Sequence, residues 1–138
     1  MDLLERMERW VRAHPNGAVI HSAAVGDYGL ADAETGKLPS GQDQVILRLV
    51  PMPKIADRIR EWGLKGRYVT FKAAPPDTAD DALVEIARAQ RSRTACDLVL
   101  ANVLGRLDEG VWIVGEAAAR FEDRKDAIAA LAEAVIEG

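Results

Sequence analysis

Cysteine and histidine are nearly absent from this 138-residue sequence: Cys96 is the lone thiol, and His14 and His21 are the only imidazoles. One cysteine excludes an intrachain disulfide and a thiolate cluster, and two histidines speak against a two-histidine metal site. No apolar run approaches the about 18 residues that a membrane span needs, and residues 1–14 carry charges throughout, which leaves no signal-peptide core. The expected location is therefore the cytoplasm, with no membrane partner. Aromatic residues make up only 5% and the 18 basic residues are outnumbered by 22 acidic ones, a net charge of −4, so an aromatic-basic platform for nucleic acid is not expected either. Neither G-x-G-x-x-G nor G-x-x-x-x-G-K-[ST] occurs, so the chain has no recognisable glycine-rich phosphate loop. Chemistry must rest mainly on carboxylates, lysines, arginines, amides and main-chain groups.

What is present is a globular composition, 49% apolar and 29% charged, in a length that suits one domain over 1–138. Leu3, Leu4, Met7 and Val11 recur at helical spacing. Residues 18–25 then form a short apolar run that reads as a buried strand, and 26–43, with four glycines and a proline, read as a long surface loop. Residues 44–50 read as a strand, followed by a helix from Pro53 to Gly63. Residues 67–73 read as another strand, with a helix capped by Asp77 or Thr78 after it. Strands at 97–102 and 111–115 precede a closing helix with Ile128, Leu131, Ala132 and Val135 as its buried stripe. Such alternation indicates an α/β fold with a mainly parallel sheet and flanking helices. Ligands of these sheets bind beyond the carboxyl ends of the strands, here Val25–Tyr28, Phe71–Ala74 and Asn102–Leu104.

Small residues at Ser22, Ala23 and Ala24 would let a ligand approach the backbone, and Asp27 just beyond can accept hydrogen bonds from hydroxyl or amine groups. Lys37 sits in the glycine-bearing loop, where a flexible ammonium can reach a phosphate. Pro53-Lys54-Ile55 opens a helix, whose free N–H groups favour an anion. Asn102 can present an amide at a strand end. Each has a plainer explanation: tight packing, a solvated lysine, a helix-starting proline or a turn former. Arg88, Arg91 and Arg93 suit the end of their helix without any ligand. Cys96 suits a small apolar filler, and Trp10, Trp62 and Trp112 suit core or interface anchors.

In combination they say more. The ordered segments VIHSAAVGDY (19–28), GKL (36–38), PKI (53–55), YVTFKA (68–73), LVEIAR (83–88) and DLVLAN (97–102) resemble the carboxy-terminal part of phosphopantothenate–cysteine ligase, also called phosphopantothenoylcysteine synthetase, and are closest to its short stand-alone bacterial form. The resemblance implies a Rossmann-like fold without the family's amino-terminal strand and glycine-rich turn. It implies a step of coenzyme A biosynthesis and pantothenate metabolism: CTP activates 4′-phosphopantothenate as an acyl-nucleotidylate, and the cysteine amine displaces the nucleotide. It further implies that Ala23, Ala24 and Asp27 line the crevice, that Lys37 lies on a catalytic flap, that Pro53, Lys54, Ile55, Ala56 and Phe71 frame the nucleotide, and that Mg²⁺ assists. Asn102 matches the carboxy-terminal A-N-D, which reads Ala101-Asn102-Val103 here. The flap's K-x-K-K keeps only Lys37. Gln90 and Thr94 stand where the fused form has lysines, with Arg91 and Arg93 beside them as candidate triphosphate contacts. The family's T-x-G-G/P-T turn and N-x-S-S-G segment do not occur, so activity is expected to need an amino-terminal segment or partner that supplies them, and a homodimer is expected. The alternative is a non-catalytic nucleotide- or phosphopantothenate-binding or assembly module.

Overall fold

The computed structural model describes residues 2–31, 40, 41 and 43–137. The chain divides into two compact units, residues 1–23 with 55–138, and residues 24–54.

The larger unit opens with α1 (Leu3–Ala13), whose N-cap Asp2 accepts a hydrogen bond from the Glu5 N–H. That cap satisfies one of the free donors of the first turn. Val11 is its fully buried contact with the core, with Leu4 and Met7 packed partly against it. Strand β1 is only Val19–His21, and the smaller unit holds β2 (Tyr28–Leu30) and β3 (Leu49–Pro51). The larger unit resumes with α2 (Ile55–Arg58), β4 (Tyr68–Ala74), α3 (Asp80–Thr94), β5 (Leu98–Val103), β6 (Glu109–Val114), β7 (Ala118–Asp123) and α4 (Arg124–Glu137).

The five-stranded sheet has the order β1-β4-β5-β6-β7. Strands β1, β4 and β5 pair in parallel, and β5-β6-β7 continue as an antiparallel meander. Reversing twice brings β7 back to the direction of β5, so four of the five strands run one way. Leu83, Val84 and Ala87 of α3 share one core cluster with Val99, Ala101 and Val103. Ala127 and Leu131 of α4 share the other with Val69, Leu100 and Val111. Because strand side chains alternate, these memberships put α3 and α4 on opposite faces of the sheet. The result is the expected helix-flanked, Rossmann-like α/β sheet. No helix among the described residues is long and apolar enough to cross a membrane.

Several boundaries differ from the sequence reading. The first strand stops at His21, where pairing with β4 ends. The apolar run 44–50 joins no large sheet; only its last two residues enter β3, paired antiparallel with β2. The helix after Pro53 is a single turn, Ile55–Arg58, and the turns beyond it end at Gly63 with φ of 99°. Asp77 adopts φ of 66°, and Thr78 Oγ1 turns back 2.6 Å to the Pro75 carbonyl, so α3 starts later, after Ala79, with no side-chain cap. β7 was not anticipated, because its sequence AARFED reads as polar. On α4 the buried positions are Ala127 and Leu131, whereas Ile128 is 44% exposed and Ala132 is exposed too. Leu131 and Val135 keep their expected place against the core, and Ala127 takes the place expected of Ile128.

One charged cluster fixes where β4 begins relative to β5. The Asp97 N–H donates to the Tyr68 carbonyl at 2.7 Å, and the Tyr68 N–H donates to Asp97 Oδ2 at 2.7 Å. Arg60 Nη2 also reaches Asp97 Oδ2, at 3.0 Å, while its other donors hold the carbonyls of Leu64, Gly66 and Ala95 at 2.8–2.9 Å. Arg60 therefore joins the segment after α2 to the start of β5. Arg60→Ala leaves three carbonyls and a carboxylate short of a partner and is expected to lower unfolding free energy by about 2–4 kcal/mol, read as a shift in the urea midpoint.

Burial holds the His21 pKa below its ordinary 6.5, so the unfolded chain takes up that proton more readily than the folded one. The sign follows: His21's contribution is present above pH 6.5 and is lost as pH falls towards the depressed folded value. His21→Asn is expected to reduce the loss of urea midpoint between pH 7.5 and pH 5.5.

Candidate functional site

In the larger unit, the parallel strands β1, β4 and β5 end at one edge of the sheet. Register aligns His21 with Thr70, Phe71 with Leu100, and Ala73 with Asn102. Leu100 belongs to the α4-side cluster, and Phe71 packs against that same cluster, so Phe71, Ala73 and Asn102 share the α4 face near the carboxyl ends. Ile20, aligned with Val69, lies on this face as well and is 49% exposed. Ser22 and Ala23 follow the end of β1 and are exposed.

Asn102 is 5% exposed, and its Nδ2 donates to the Leu107 carbonyl at 3.3 Å. The side chain thus fixes the β5–β6 hairpin, where Arg106 N–H also closes onto the Val103 carbonyl at 3.0 Å. Its Oδ1 accepts no hydrogen bond from the described residues, which leaves an oriented acceptor at the strand end. Val103, which stands in place of the A-N-D carboxylate, is 4% exposed and packs in the α3-side core.

The smaller unit places Ala24, Asp27, Pro53 and Lys54 on exposed positions. Lys54 Nζ lies 3.5 Å from Asp27 Oδ1, and the Asp27 carbonyl accepts from Met52 N–H at 2.8 Å, so the β2–β3 pairing holds these two charges side by side. Their side chains are 62% and 51% exposed for Asp27 and Lys54 respectively. An ion pair this exposed contributes little to stability and exchanges readily for a ligand's charges.

Other expected residues are placed differently. Ile55 is 3% exposed and belongs to the core, so only its main chain is open to a ligand. The Ala56 carbonyl already accepts from Tyr68 Oη at 2.9 Å. Helix α2 has a single turn and offers no developed N-terminal anion site. Lys37 lies outside the described residues. Arg91 and Arg93 lie away from the carboxyl edge: α3 runs back to the amino end of β5, where Arg91 Nε donates to the Asp97 carbonyl at 3.0 Å and Arg93 pairs with Asp57 at 2.9 Å. Arg88 pairs with Glu85 at 2.5 Å. Cys96 is buried with its Sγ 3.4 Å from Thr70 Oγ1, as a small filler. Trp62 is a core residue, Trp112 lies half-buried against that core, and Trp10 is exposed with its ring near His14.

Sequence reasoning missed Gln90 as a contact of the carboxyl-edge strand. Its Nε2 donates to Thr70 Oγ1 and to the Phe71 carbonyl. No local pattern encodes that contact, because the partners are 19 and 20 residues away. A groove of about 540 Å³ between α3 and the β6–β7 hairpin, floored by Val84, Trp112 and Ala118, contains none of the predicted residues. Two of its rim carboxylates are neutralised, Glu85 by Arg88 and Asp80 by Arg120 at 3.0 Å. Among the described residues, no group of three or more His, Cys, Asp or Glu side chains is placed to hold a metal ion.

Over residues 2–133 the chain matches the family described as DNA/pantothenate metabolism flavoprotein C-terminal domain. It is 34% identical over 117 residues to the coenzyme A biosynthesis bifunctional protein CoaBC of Thermococcus kodakarensis, a match that takes in 83% of this chain. The chain spans about 28% of the length of that relative. The crystal structure of the DNA/pantothenate metabolism flavoprotein from Streptococcus pneumoniae shares the fold with a TM-score of 0.82 at 24% identity, over 99% of this chain and 69% of that one. With a family match across nearly its whole length and a homologue in coenzyme A biosynthesis, this chain belongs to the DNA/pantothenate metabolism flavoprotein C-terminal domain family.

Proposed function

We propose that the chain takes part in the CTP-dependent ligation of 4′-phosphopantothenate with cysteine, together with an amino-terminal segment or partner that supplies the family's phosphate-binding turn. The observation that carries this reading is the ordered match over residues 2–133, which contains every candidate residue from Ser22 to Asn102. In the first step a carboxylate oxygen of phosphopantothenate attacks the α-phosphorus of CTP, and pyrophosphate leaves. In the second, the cysteine amine attacks the acyl carbon, the bond to the nucleotide oxygen breaks, and CMP leaves.

Charge builds on the α-phosphate during the first step, and an ammonium there stabilises it more than it stabilises the ground state. Lys37 is assigned this catalytic role. Asp27 is suited to accept hydrogen bonds from a substrate hydroxyl or amine, with Lys54 beside it for an anionic group. Phe71 supplies an apolar wall and Asn102 Oδ1 an acceptor for an amino group on the base.

The smaller unit supports self-association. Tyr28, Leu30, Val45, Ile46, Leu47, Leu49 and Met52 are all exposed, Ile46 at 83%, on a two-stranded ribbon that is marginal by itself. A second copy that buries these side chains gives the homodimer.

Two expectations follow. The chain mixed with an amino-terminal fragment of a family member, CTP, phosphopantothenate and cysteine should release pyrophosphate, with Lys37→Ala lowering kcat by about 10²-fold; no release with a folded, verified fragment counts against the ligase reading and favours a binding module. Sedimentation at micromolar concentration should give a dimer that Ile46→Lys with Leu49→Lys converts to monomer, whereas a monomeric unsubstituted chain contradicts the self-association.

A further inference from the structure

Near its carboxyl end, α3 turns one uncharged side chain back into the sheet. Gln90 Nε2 lies 2.9 Å from Thr70 Oγ1 and 3.1 Å from the Phe71 carbonyl. A side-chain amide carries two N–H hydrogens, so these acceptors use both, and the amide has one orientation. Thr70 is 1% exposed. Its hydroxyl accepts from Gln90 and also lies 3.4 Å from Cys96 Sγ, where either group can donate. At the other end of the residue, the Gln90 carbonyl accepts from Thr94 Oγ1 at 2.8 Å, which ties the last turn of α3 to the same buried group.

The position of this clamp gives it meaning. β1 pairs with β4 only as far as His21 opposite Thr70. From Phe71 onward, β4 continues with β5 on one side and without β1 on the other. Phe71 is therefore the residue at which β4 leaves the three-stranded ladder, and Gln90 holds its carbonyl and the hydroxyl of the preceding Thr70. Holding the main chain at Phe71 sets the direction of its Cα–Cβ bond, from which the ring extends on the α4 face. Gln90 itself sits on the α3 side, while Phe71 and Asn102 lie on the α4 side.

We propose that Gln90 is a positioning residue for nucleotide binding: it holds the main chain at Thr70–Phe71 so that the Phe71 ring and the Asn102 amide keep a fixed spacing, without touching the ligand. This rests on the nucleotide reading given above. The test is the Kd for CTP of the full chain by titration calorimetry, with a thermal melt of each variant. Gln90→Met keeps the length of the side chain and removes both donors, and is expected to weaken CTP binding about tenfold, a change of one decade in Kd. Val11→Ala opens a small cavity where α1 meets the core, so it is expected to lower Tm and leave Kd within about twofold. An unchanged Kd in folded Gln90→Met, or an equal loss in Val11→Ala, overturns the positioning role while the nucleotide reading stands. Should Gln90→Met not fold, Thr70→Val, which removes one of the two acceptors, is read by the same criteria. No CTP binding by the unsubstituted chain at millimolar concentration overturns the nucleotide reading, and the positioning role with it.

Discussion

Asp97 fastens β5 to β4 through its main chain and its carboxylate at once. The main-chain bond alone would permit a neighbouring register, but the second bond, from the Tyr68 N–H to Oδ2, and the Arg60 guanidinium on the same oxygen select one. Register matters because side chains on a strand alternate, and a slip of one residue exchanges the two faces. With Tyr68 and Asp97 locked, Phe71 falls opposite Leu100 and Ala73 opposite Asn102. A slip of β5 by one position would turn Asn102 away from Phe71 and drive Leu100 out of the α4-side core.

The same cluster divides the sheet into two chemically different edges. At the amino edge, charge is committed to structure: Arg60 and Arg67 lie on Asp97, Arg91 on the Asp97 carbonyl, and Arg93 on Asp57. At the carboxyl edge the side chains on the α4 face are aromatic, small or amide (Phe71, Ala73 and Asn102), Ser22 and Ala23 follow the end of β1, and the Lys72 ammonium lies on the α3 face. An edge whose polar groups are already paired has little to offer a ligand, whereas the Oδ1 of the buried Asn102, which accepts no hydrogen bond from the described residues, keeps its capacity to accept. This difference, more than any single residue, places the candidate site.

Which parts were legible in the sequence follows from what each pattern depends on. YVTFKA and DLVLAN announce β4 and β5 within a residue, since strands buried on both faces read as continuous apolar runs. The run 44–50 has the same apolar character, yet only its last two residues enter the β2–β3 ribbon and its side chains are exposed, because hydrophobicity does not say what covers it. AARFED hides β7: an edge strand with Arg120 and Glu122 on a solvent-facing side carries little apolar signal. Arg91 and Arg93 look available in the sequence, but the direction of α3 carries them to the amino edge. Gln90 was visible only as a missing lysine, and its clamp on Thr70 and Phe71 needs the tertiary structure to be seen at all.

The account is tested most directly by amide chemical-shift mapping of the ¹⁵N-labelled chain with CTP. Perturbations in the larger unit should gather at the carboxyl edge, at Ser22, Ala23, Phe71 to Ala74 and Asn102 to Leu107. Perturbations gathered instead at Asp81, Glu85, Trp112 and Ala118, in the groove beside α3, or along the amino edge at Arg67 and Asp97, would contradict it.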